Sequence, residues 1–319
     1  MKYSFNPIIF KAYDIRGKVS NVEITEEAAF FIGLCLGTMI KTGLVCVGMD
    51  ARNSSIKLKQ KVIEGLVQMG IEVVDLGLIP TPECYFAIPF LKASASVMVT
   101  GSHNSIEYNG FKITLENESL SGKELLKFVD IANNGITISK KKGSIKYLDI
   151  SENYIAQMLS NIKFEKMPLR IGIDAMNGSG GAILKNICKR LPFDFILKNS
   201  EMTGDFGAVL PEPSKPSNIS NMQNFLKNEN LDLVFAFDGD ADRILLITPN
   251  KVWYGDDVTL FLAANILKSN PNRSIIFDVK SSITLEEEIE RLNGVPIVYK
   301  TGHSLIKQKM KETNAILAG

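Results

Sequence analysis

Short apolar runs alternate along this chain with longer segments in which apolar residues recur every three or four positions. The first run, 44–50, leads into the small residues ARNSS, and a segment with helical spacing follows. Ser54 or Ser55 can cap this helix, and Gly70 is placed to end it. The pattern predicts a strand, a loop and an amphipathic helix.

The same unit of strand, loop and helix occurs three times. The second copy begins with the strand 169–174 and has a helix ending near Arg190. The third begins with the strand 274–278 and has an acidic helix that Thr284 can cap. Each copy continues with a second apolar strand, at 71–75, 193–197 and 295–299. A third apolar strand then runs into a loop, and these strands lie at 96–99, at 233–237 and in the final residues AILAG.

Strands that alternate with helices predict an α/β fold, here three tandem α/β repeats with mixed sheets. Ligands of such sheets gather at the loops beyond the strand ends, so equivalent loops should converge on one central cleft. We place the domains at 1–150, 151–252 and 253–319. The third repeat stops at its functional loop, and we expect it to be incomplete.

Composition narrows the classes of protein. The 319 residues would by length alone suggest about two domains, whereas the repeats favour three. A formal net charge of +1 gives no sign of nucleic-acid or membrane-surface binding. The four cysteines are widely spaced, without a CxxC pair, and the N-terminus has no signal-peptide pattern. We therefore expect a cytoplasmic protein.

Three carboxylates at alternate positions follow the apolar strand of the second repeat. Asp238, Asp240 and Asp242 can fold onto one hard cation, and oxygen ligands suit Mg²⁺. A calcium EF-hand is excluded, because its glycine and glutamate positions hold Arg243 and Pro249. Two alternatives stay open from these residues alone: a solvated acidic turn, and a phosphatase that uses its first aspartate as nucleophile.

A second chemical signal follows the corresponding strand of the first repeat, in TGSHNS. Ser102 beside His103 is a candidate activated nucleophile, and the alternative is an ordinary turn. Lys112 places a cation a short distance further along the chain. No G-x-x-x-x-G-K-[ST] loop is present, which argues against a Walker-type nucleotide site.

Other candidate residues stand in loops at strand ends or near glycines. The only two histidines, His103 and His303, each lie in a glycine-containing loop, which favours function over a structural role. Lys280 follows the first strand of the third repeat, and Arg16 precedes a glycine in an early turn. For Lys280 a solvated surface lysine is an equally good interpretation.

These loops together resemble the α-D-phosphohexomutase family, most closely its phosphomannomutase/phosphoglucomutase branch. The matching segments are FKAYDIRG, TGSHNSIEYNGFKI, DGDADR, DVKSS and KTGHSLIKQKMKET, in this order along the chain. The resemblance implies a heart-shaped enzyme of four domains, three similar and one C-terminal, around a central cleft. It runs from the first residues of the sequence to the last.

The resemblance also implies roles for individual residues. Ser102 corresponds to the phosphorylated serine, and it supplies a metal ligand together with Asp238, Asp240 and Asp242. His103 would support the phosphoserine.

Further residues match family positions around the substrate. The cations expected around the transferring phosphate are Arg16, Lys112 and Arg243. Lys280 and His303 are expected near the sugar and its reacting hydroxyls, with His303 a general acid/base candidate.

The sequence departs from the family pattern at two places. Ser105 stands where the family usually has proline, so we expect a looser placement of Ser102. The family's sugar-binding loop and C-terminal phosphate-binding domain would follow Gly319, and neither is in this sequence. We therefore expect a fragment or truncated product with the fourth domain absent and with mutase turnover far below that of a complete relative.

The function implied is that of a phosphohexomutase that interconverts hexose 1-phosphate and hexose 6-phosphate, of mannose, glucose or both. The expected cofactor is Mg²⁺, and a hexose 1,6-bisphosphate is the expected intermediate and activator. The partners are small-molecule sugar phosphates. Two other functions stay open: a catalytically silent fragment that binds a metal or partner, and a metal-dependent sugar phosphatase.

Overall fold

A computed structural model describes residues 1–160, 162, 164 and 167–319. The first sheet and its helices come from the N-terminal half of the chain. Its strands are β1 Ile15–Lys18, β2 Leu44–Met49, β3 Glu72–Leu78, β4 Ala95–Val99, β5 Tyr108–Leu115, β6 Glu118–Ser119 and β7 Ile145–Tyr147. Its helices are α1 Glu26–Ile40, α2 Asn53–Gln68, α3 Thr81–Leu91 and α4 Lys123–Asn134.

The second and third units follow in chain order. The second contains α5 Ser151–Leu159, β8 Arg170–Asp174, α6 Gly181–Cys188, β9 Asp194–Lys198, α7 Pro216–Asn228, β10 Leu233–Phe237, β11 Ile244–Thr248 and β12 Lys251–Trp253. The third contains α8 Gly255–Ser269, β13 Ser274–Asp278, α9 Ile283–Arg291, β14 Val295–Tyr299, α10 His303–Thr313 and β15 Leu317–Ala318. Short 3₁₀ turns lie at Pro7–Ile9 and Phe206–Ala208.

The three sheets confirm the tandem α/β prediction. The first has the order β1-β5-β4-β2-β3-β7 with β6 beside β5, the second β12-β11-β10-β8-β9, and the third β14-β13-β15. In the first two, parallel pairs around β2 and β8 adjoin antiparallel strands, so these sheets are mixed. The described pairs of the third are parallel. The division at 150 and 252 stays our proposal.

Apolar packing between helices and sheets forms a separate core in each unit. The largest buries residues of α1, α2 and α4 against the first sheet. Gly33 and Gly65 allow α1 and α2 to cross closely, because a Cβ on either glycine would lie 2.2 Å from a carbonyl oxygen of the facing helix. Within the described residues, no helix is long and apolar enough to cross a bilayer.

Two predicted helix caps are wrong. Arg52 is the N-cap residue of α2, and the Ser55 hydroxyl instead donates to Asp50, 2.6 Å away. Ser282, not Thr284, caps α9, because its hydroxyl accepts a hydrogen bond from the Thr284 backbone N–H. In both cases the N-cap is a residue closer to the preceding strand than the predicted one, because the helix begins earlier in the chain.

The strands β2, β8 and β13 each lead into the same turn. The carboxylates of Asp50, Asp174 and Asp278 each accept a hydrogen bond from the backbone N–H two residues later, at 3.1, 2.9 and 2.9 Å. An aspartate that bonds its own backbone in this way is a common device for starting a turn. The repeated turn positions the residues that follow each strand at the same edge of its sheet.

Candidate active site

The loop after β4 presents Ser102 in a left-handed conformation, with φ of 51°. Its backbone N–H donates to the Thr100 hydroxyl at 2.8 Å, which stabilises this conformation. The Ser102 hydroxyl is buried; it donates to Asp238 Oδ2 at 2.9 Å and lies 3.2 Å from His103 Nδ1. The serine predicted from the first repeat therefore touches the acidic loop predicted from the second.

Arg52 organises this serine loop, although the sequence patterns did not indicate it. Its guanidinium donates to the carbonyl oxygens of four loop residues at 2.6–3.1 Å, namely Ser102, Asn104, Ser105 and Tyr108. It also pairs with Asp50 at 3.0 Å, and its side chain is only 1% exposed. A guanidinium suits such a cluster, because its planar fork directs several donors at once.

A residue of the second unit also packs against Arg52. The guanidinium carbon lies 4.9 Å from the centre of the buried Phe206 ring, in a cation–π contact. Phe206, Gly207 and Ala208 all have positive φ, at 53°, 65° and 60°. Left-handed backbone at two residues that carry a side chain is unfavourable, so the surrounding structure must impose this turn.

The Ser105 departure from the family pattern has a structural counterpart. The Ser105 carbonyl oxygen accepts from Arg52 at 2.6 Å and from the Tyr108 N–H at 3.0 Å. These bonds fix the loop where a proline ring would otherwise restrict it. The expectation that the loop is looser stays a prediction.

The loop after β10 folds its three aspartates together. One carboxylate oxygen from each of Asp238, Asp240 and Asp242 lies within 4.8 Å of the others. Asp238 Oδ1 accepts from the backbone N–H groups of Asp242 and Arg243, both at 3.1 Å. Ala241, with φ of 56°, makes the tight turn between them.

Lys112 on β5 joins the two units at this loop. Its ammonium donates to Asp240 Oδ2 and Asp242 Oδ2, each at 2.6 Å, and its side chain is 4% exposed. Burial alone would lower the pKa of Lys112, but these two carboxylates raise it well above its usual value. Lys112 therefore stays charged in the dry centre of the site.

Asp240 is held from α3 as well. The Thr81 hydroxyl donates to Asp240 Oδ2 at 2.5 Å, and the Thr81 N–H donates to the Asp240 carbonyl at 2.9 Å. Burial would raise the pKa of Asp240, but Lys112 and the hydrogen bonds from Lys112 and Thr81 hold it below its usual value. Thr81 is a second site residue that sequence reasoning missed.

Asp238 behaves in the opposite way. Burial, followed by the charges of Asp240 and Asp242, raises the pKa of Asp238 well above its usual value. Three clustered carboxylates repel one another, and a cation bound among them would favour the charged form of each.

The donor set fits a hard divalent ion. All three side chains offer oxygen, and Asp240 Oδ1 is buried without a hydrogen-bond partner among the described residues. An unpartnered buried carboxylate oxygen is costly unless a cation or proton satisfies it. These residues therefore suit Mg²⁺, which prefers oxygen ligands.

The other predicted cations and His103 surround the serine loop. Arg16 on β1 donates to Asn104 Oδ1 at 2.8 Å and pairs with Asp14. The exposed Arg243 has its Nε 4.0 Å from Asp242 Oδ1. Burial, together with the charges of Arg243 and Arg16, lowers the pKa of His103 to about 3. His103 is therefore neutral beside Ser102.

The third unit contributes His303, the first residue of α10. Its Nδ1 lies 3.4 Å from the Tyr85 hydroxyl of α3, and its Nε2 is buried without a partner among the described residues. Burial, then the charges of Lys112 and Lys307, lowers the pKa of His303 to about 3. The structure thus brings His303 of the third unit against α3 of the first, and its acid/base role stays a prediction.

Lys280 stands apart from these contacts. Its backbone N–H donates to Asp278 Oδ1, and its exposed side chain makes no ion pair with any residue that the structure describes. Its predicted role near the sugar is not tested by this arrangement.

The sequence matches three family descriptions along its length. "Phosphoglucomutase/phosphomannomutase, alpha/beta/alpha domain I" matches residues 7–137, domain II matches 152–251 and domain III matches 254–319. Together these ranges include most of the chain.

Curated relatives and solved structures agree with these matches. The phosphomannomutase/phosphoglucomutase of Pseudomonas aeruginosa is 39% identical over 316 residues, 98% of this chain and 67% of that protein. A phosphoglucomutase of Neisseria gonorrhoeae is 38% identical over 98% of this chain and 68% of its own length. A crystal structure of a phosphoglucomutase/phosphomannomutase family protein from Burkholderia thailandensis superposes with a TM-score of 0.92 at 32% identity, covering 99% of this chain and 71% of that one. The chain belongs to the phosphoglucomutase/phosphomannomutase family of enzymes within the α-D-phosphohexomutases.

Proposed function

We propose that this chain transfers phosphate between positions of a hexose, as a phosphohexomutase that interconverts hexose 1-phosphate and hexose 6-phosphate. The observation that carries the proposal is the 2.9 Å hydrogen bond from the buried Ser102 hydroxyl to Asp238. It joins a candidate phosphate carrier to a cluster of three carboxylates. Relatives named phosphomannomutase and phosphoglucomutase point to mannose or glucose phosphates as substrates.

The transfer runs in two balanced steps. In the first, the bond from phosphorus to Ser102 Oγ breaks and a bond from phosphorus to the free sugar hydroxyl forms, which yields a hexose 1,6-bisphosphate. The proton of that hydroxyl ends on Ser102 Oγ, where Asp238 accepts the hydrogen bond. In the second, the bond from the other phosphorus to its sugar oxygen breaks and a bond from that phosphorus to Ser102 Oγ forms. The proton of Ser102 Oγ then passes to the sugar oxygen.

Charge and enclosure supply most of the catalysis in such transfers. Lys112, Arg16 and Arg243 are the cations that would neutralise the transferring phosphoryl group. Asp238, Asp240 and Asp242, together with the phosphoserine, would hold Mg²⁺, which supplies further positive charge when bound. Burial of Ser102 keeps water from the phosphate ester.

The neutral His103 supports the serine from its other side. An uncharged imidazole 3.2 Å from the hydroxyl can form a hydrogen bond with Ser102. Unlike an anion in this place, it would not repel the phosphate on the serine. Lys280 and His303 are the residues that we expect near the sugar ring.

Phosphate incorporation tests this proposal. The chain is incubated with Mg²⁺ and a hexose 1,6-bisphosphate, and phosphate is located by intact-mass and peptide mass spectrometry. We expect one phosphate on Ser102, none in Ser102→Ala, and an ester that resists hydroxylamine. Phosphate on Asp238, which hydroxylamine would release, would identify a sugar phosphatase instead. No incorporation on any residue would identify a silent binding fragment.

A further inference from the structure

His303 is enclosed by two tyrosines from the first unit. Its ring packs edge to face with Tyr13, with centroids 5.8 Å apart, and lies 6.4 Å from the Tyr85 ring. The following residue, Ser304, donates to the Tyr13 carbonyl at 3.2 Å. The imidazole therefore has a fixed orientation where α10 meets the first unit.

The Tyr85 hydroxyl has one acceptor among the described residues, which is His303 Nδ1 at 3.4 Å. If Nδ1 carried the imidazole proton, both the phenol hydrogen and the Nε2 lone pair would lack partners. If Nδ1 accepts, the phenol is satisfied and only the Nε2–H remains as a donor. A buried hydroxyl is costly without an acceptor, so the second arrangement is favoured.

Lys307, one helical turn after His303, also contacts Tyr85. Its Nζ lies 3.4 Å from the centre of the Tyr85 ring. A cation over an aromatic face is attracted by the ring's quadrupole and so fixes the ring's position. Two residues of α10 therefore contact Tyr85: His303 at its hydroxyl and Lys307 at the face of its ring.

We propose, resting on the mutase function above, that Tyr85 is a positioning residue that fixes His303 as a neutral hydrogen-bond donor. The phenol donates to Nδ1, the imidazole proton resides on Nε2, and Nε2–H donates to an oxygen of the bound hexose phosphate. This role replaces the acid/base role implied by the family resemblance.

The charges around His303 agree with this assignment. Lys112, Lys307 and Arg16 disfavour a second proton on the ring, whereas Asp240 favours one. Burial disfavours the charged ring even more strongly than these lysines and Arg16 do. The pKa of His303 therefore falls to about 3. Burial keeps the pKa of Tyr85 above its usual range, so the phenol retains the proton that it donates. A neutral imidazole donates a hydrogen bond well but releases a proton poorly.

Nitrogen NMR of the whole chain tests the tautomer directly. The sequence has only two histidines, and His103→Gln assigns the remaining signals to His303. We expect a neutral Nε2–H tautomer that persists down to about pH 5, well below the usual histidine pKa. Tyr85→Phe should lower the ratio of Nε2–H to Nδ1–H by about two- to tenfold, as expected for one lost hydrogen bond.

Two further variants complete the test. Tyr13→Phe is the matched control, because it removes a hydroxyl from the other tyrosine beside His303 and should leave the ratio unchanged. Lys307→Met removes a cation at similar length and should raise the pKa of His303. A wild-type Nδ1–H tautomer, a His303 that titrates near pH 6.5, or no change of tautomer in Tyr85→Phe would each overturn the proposal.

Kinetics then separate this proposal from the mutase function. Because only the Nε2–H form can donate to the substrate, kcat/KM for transfer from phosphorylated Ser102 to a hexose monophosphate should follow the fraction of His303 in that form. This value should therefore fall in Tyr85→Phe, by at most about two- to tenfold. A clear fall in the Nε2–H fraction of Tyr85→Phe with an unchanged kcat/KM would overturn the role of His303 as donor. A Ser102 that takes no phosphate would overturn the mutase function and leave the tautomer result as it stands.

Discussion

Two equivalent turns of the molecule carry basic residues of opposite exposure. The turns 50–52 and 278–280 both begin with an aspartate that bonds the N–H two residues later. The side chain at that third position is the buried Arg52 in one turn and the exposed Lys280 in the other. Met176 holds the same position in the second unit.

The difference shows that the units share a backbone conformation in this turn but not the role of the side chain at its third position. Each aspartate satisfies the backbone of its own turn, so the third position is free to change. In the first unit it turns inward and binds the carbonyl oxygens of the serine loop. In the third unit it points to solvent, where a ligand can reach it. A basic residue at the same position thus stabilises the structure in one turn and is a candidate for binding the substrate in the other.

Paired alanine variants at these positions should show the largest effect. Arg52→Ala leaves Asp50 as a buried unpaired charge and removes one donor from each of four carbonyl oxygens, so we expect a loss of about 3–5 kcal/mol in unfolding free energy. Lys280→Ala removes an exposed side chain and should change stability by less than about 0.5 kcal/mol. Chemical unfolding of both variants measures the contrast.

Arg52→Lys refines this test, because it keeps the charge but loses the planar fork. We expect a loss between those of the two alanine variants, since one ammonium cannot reach all four carbonyl oxygens. Equal stability of Arg52→Ala and Lys280→Ala would contradict the structural role of Arg52.

The sequence is sufficient to predict the tandem α/β units, and it also predicts the loops after β4 and β10 that make up the candidate site. Apolar periodicity marks the strands, and in α/β sheets the loops after them carry the ligands. The pattern of ARNSS indicates only a loop before a helix and gives no separate role to Arg52. The available signal was its position two residues after the strand's aspartate, which is also the position of Lys280.

Other contacts could not be predicted from one sequence. Thr81 meets Asp240 across 159 residues, and Tyr85 meets His303 across 218. Neither pair leaves a periodic or local signal, because each depends on how two units pack. The left-handed turn at Phe206 is equally hidden, since phenylalanine gives no sign of positive φ.

Magnesium should stabilise the protein through the acidic loop after β10 and not through the turn 278–280. Binding to Asp238, Asp240 and Asp242 removes their mutual repulsion, so we expect about 2.7 kcal/mol of added stability at a hundredfold excess over Kd. Asp240→Asn should abolish most of this gain. Melting curves in Mg²⁺ and in EDTA measure it.

Asp278→Asn is the matched control for that experiment. It alters the aspartate of the third turn, which accepts from Lys280 N–H and the Thr301 hydroxyl, and lies outside the acidic cluster. Its basal stability should fall, but its gain from Mg²⁺ should equal that of the wild type. If the Mg²⁺ gain vanished in Asp278→Asn and persisted in Asp240→Asn, the metal would bind in the third unit, and the predicted site in the second unit would be wrong.

The smallest effect concerns Ser105, in the loop that Arg52 holds. The Ser105 N–H has no acceptor among the described residues, and its carbonyl oxygen would remain available to Arg52 in Ser105→Pro. We expect a gain of about 0.4–1 kcal/mol, because proline restricts the unfolded chain while the folded loop is already fixed. Ser105→Ala, the control, should leave stability within about 0.5 kcal/mol of the wild type. A gain well above about 1 kcal/mol in chemical unfolding would mean that Arg52 leaves the loop loose, and a loss would mean that the loop requires a conformation closed to proline.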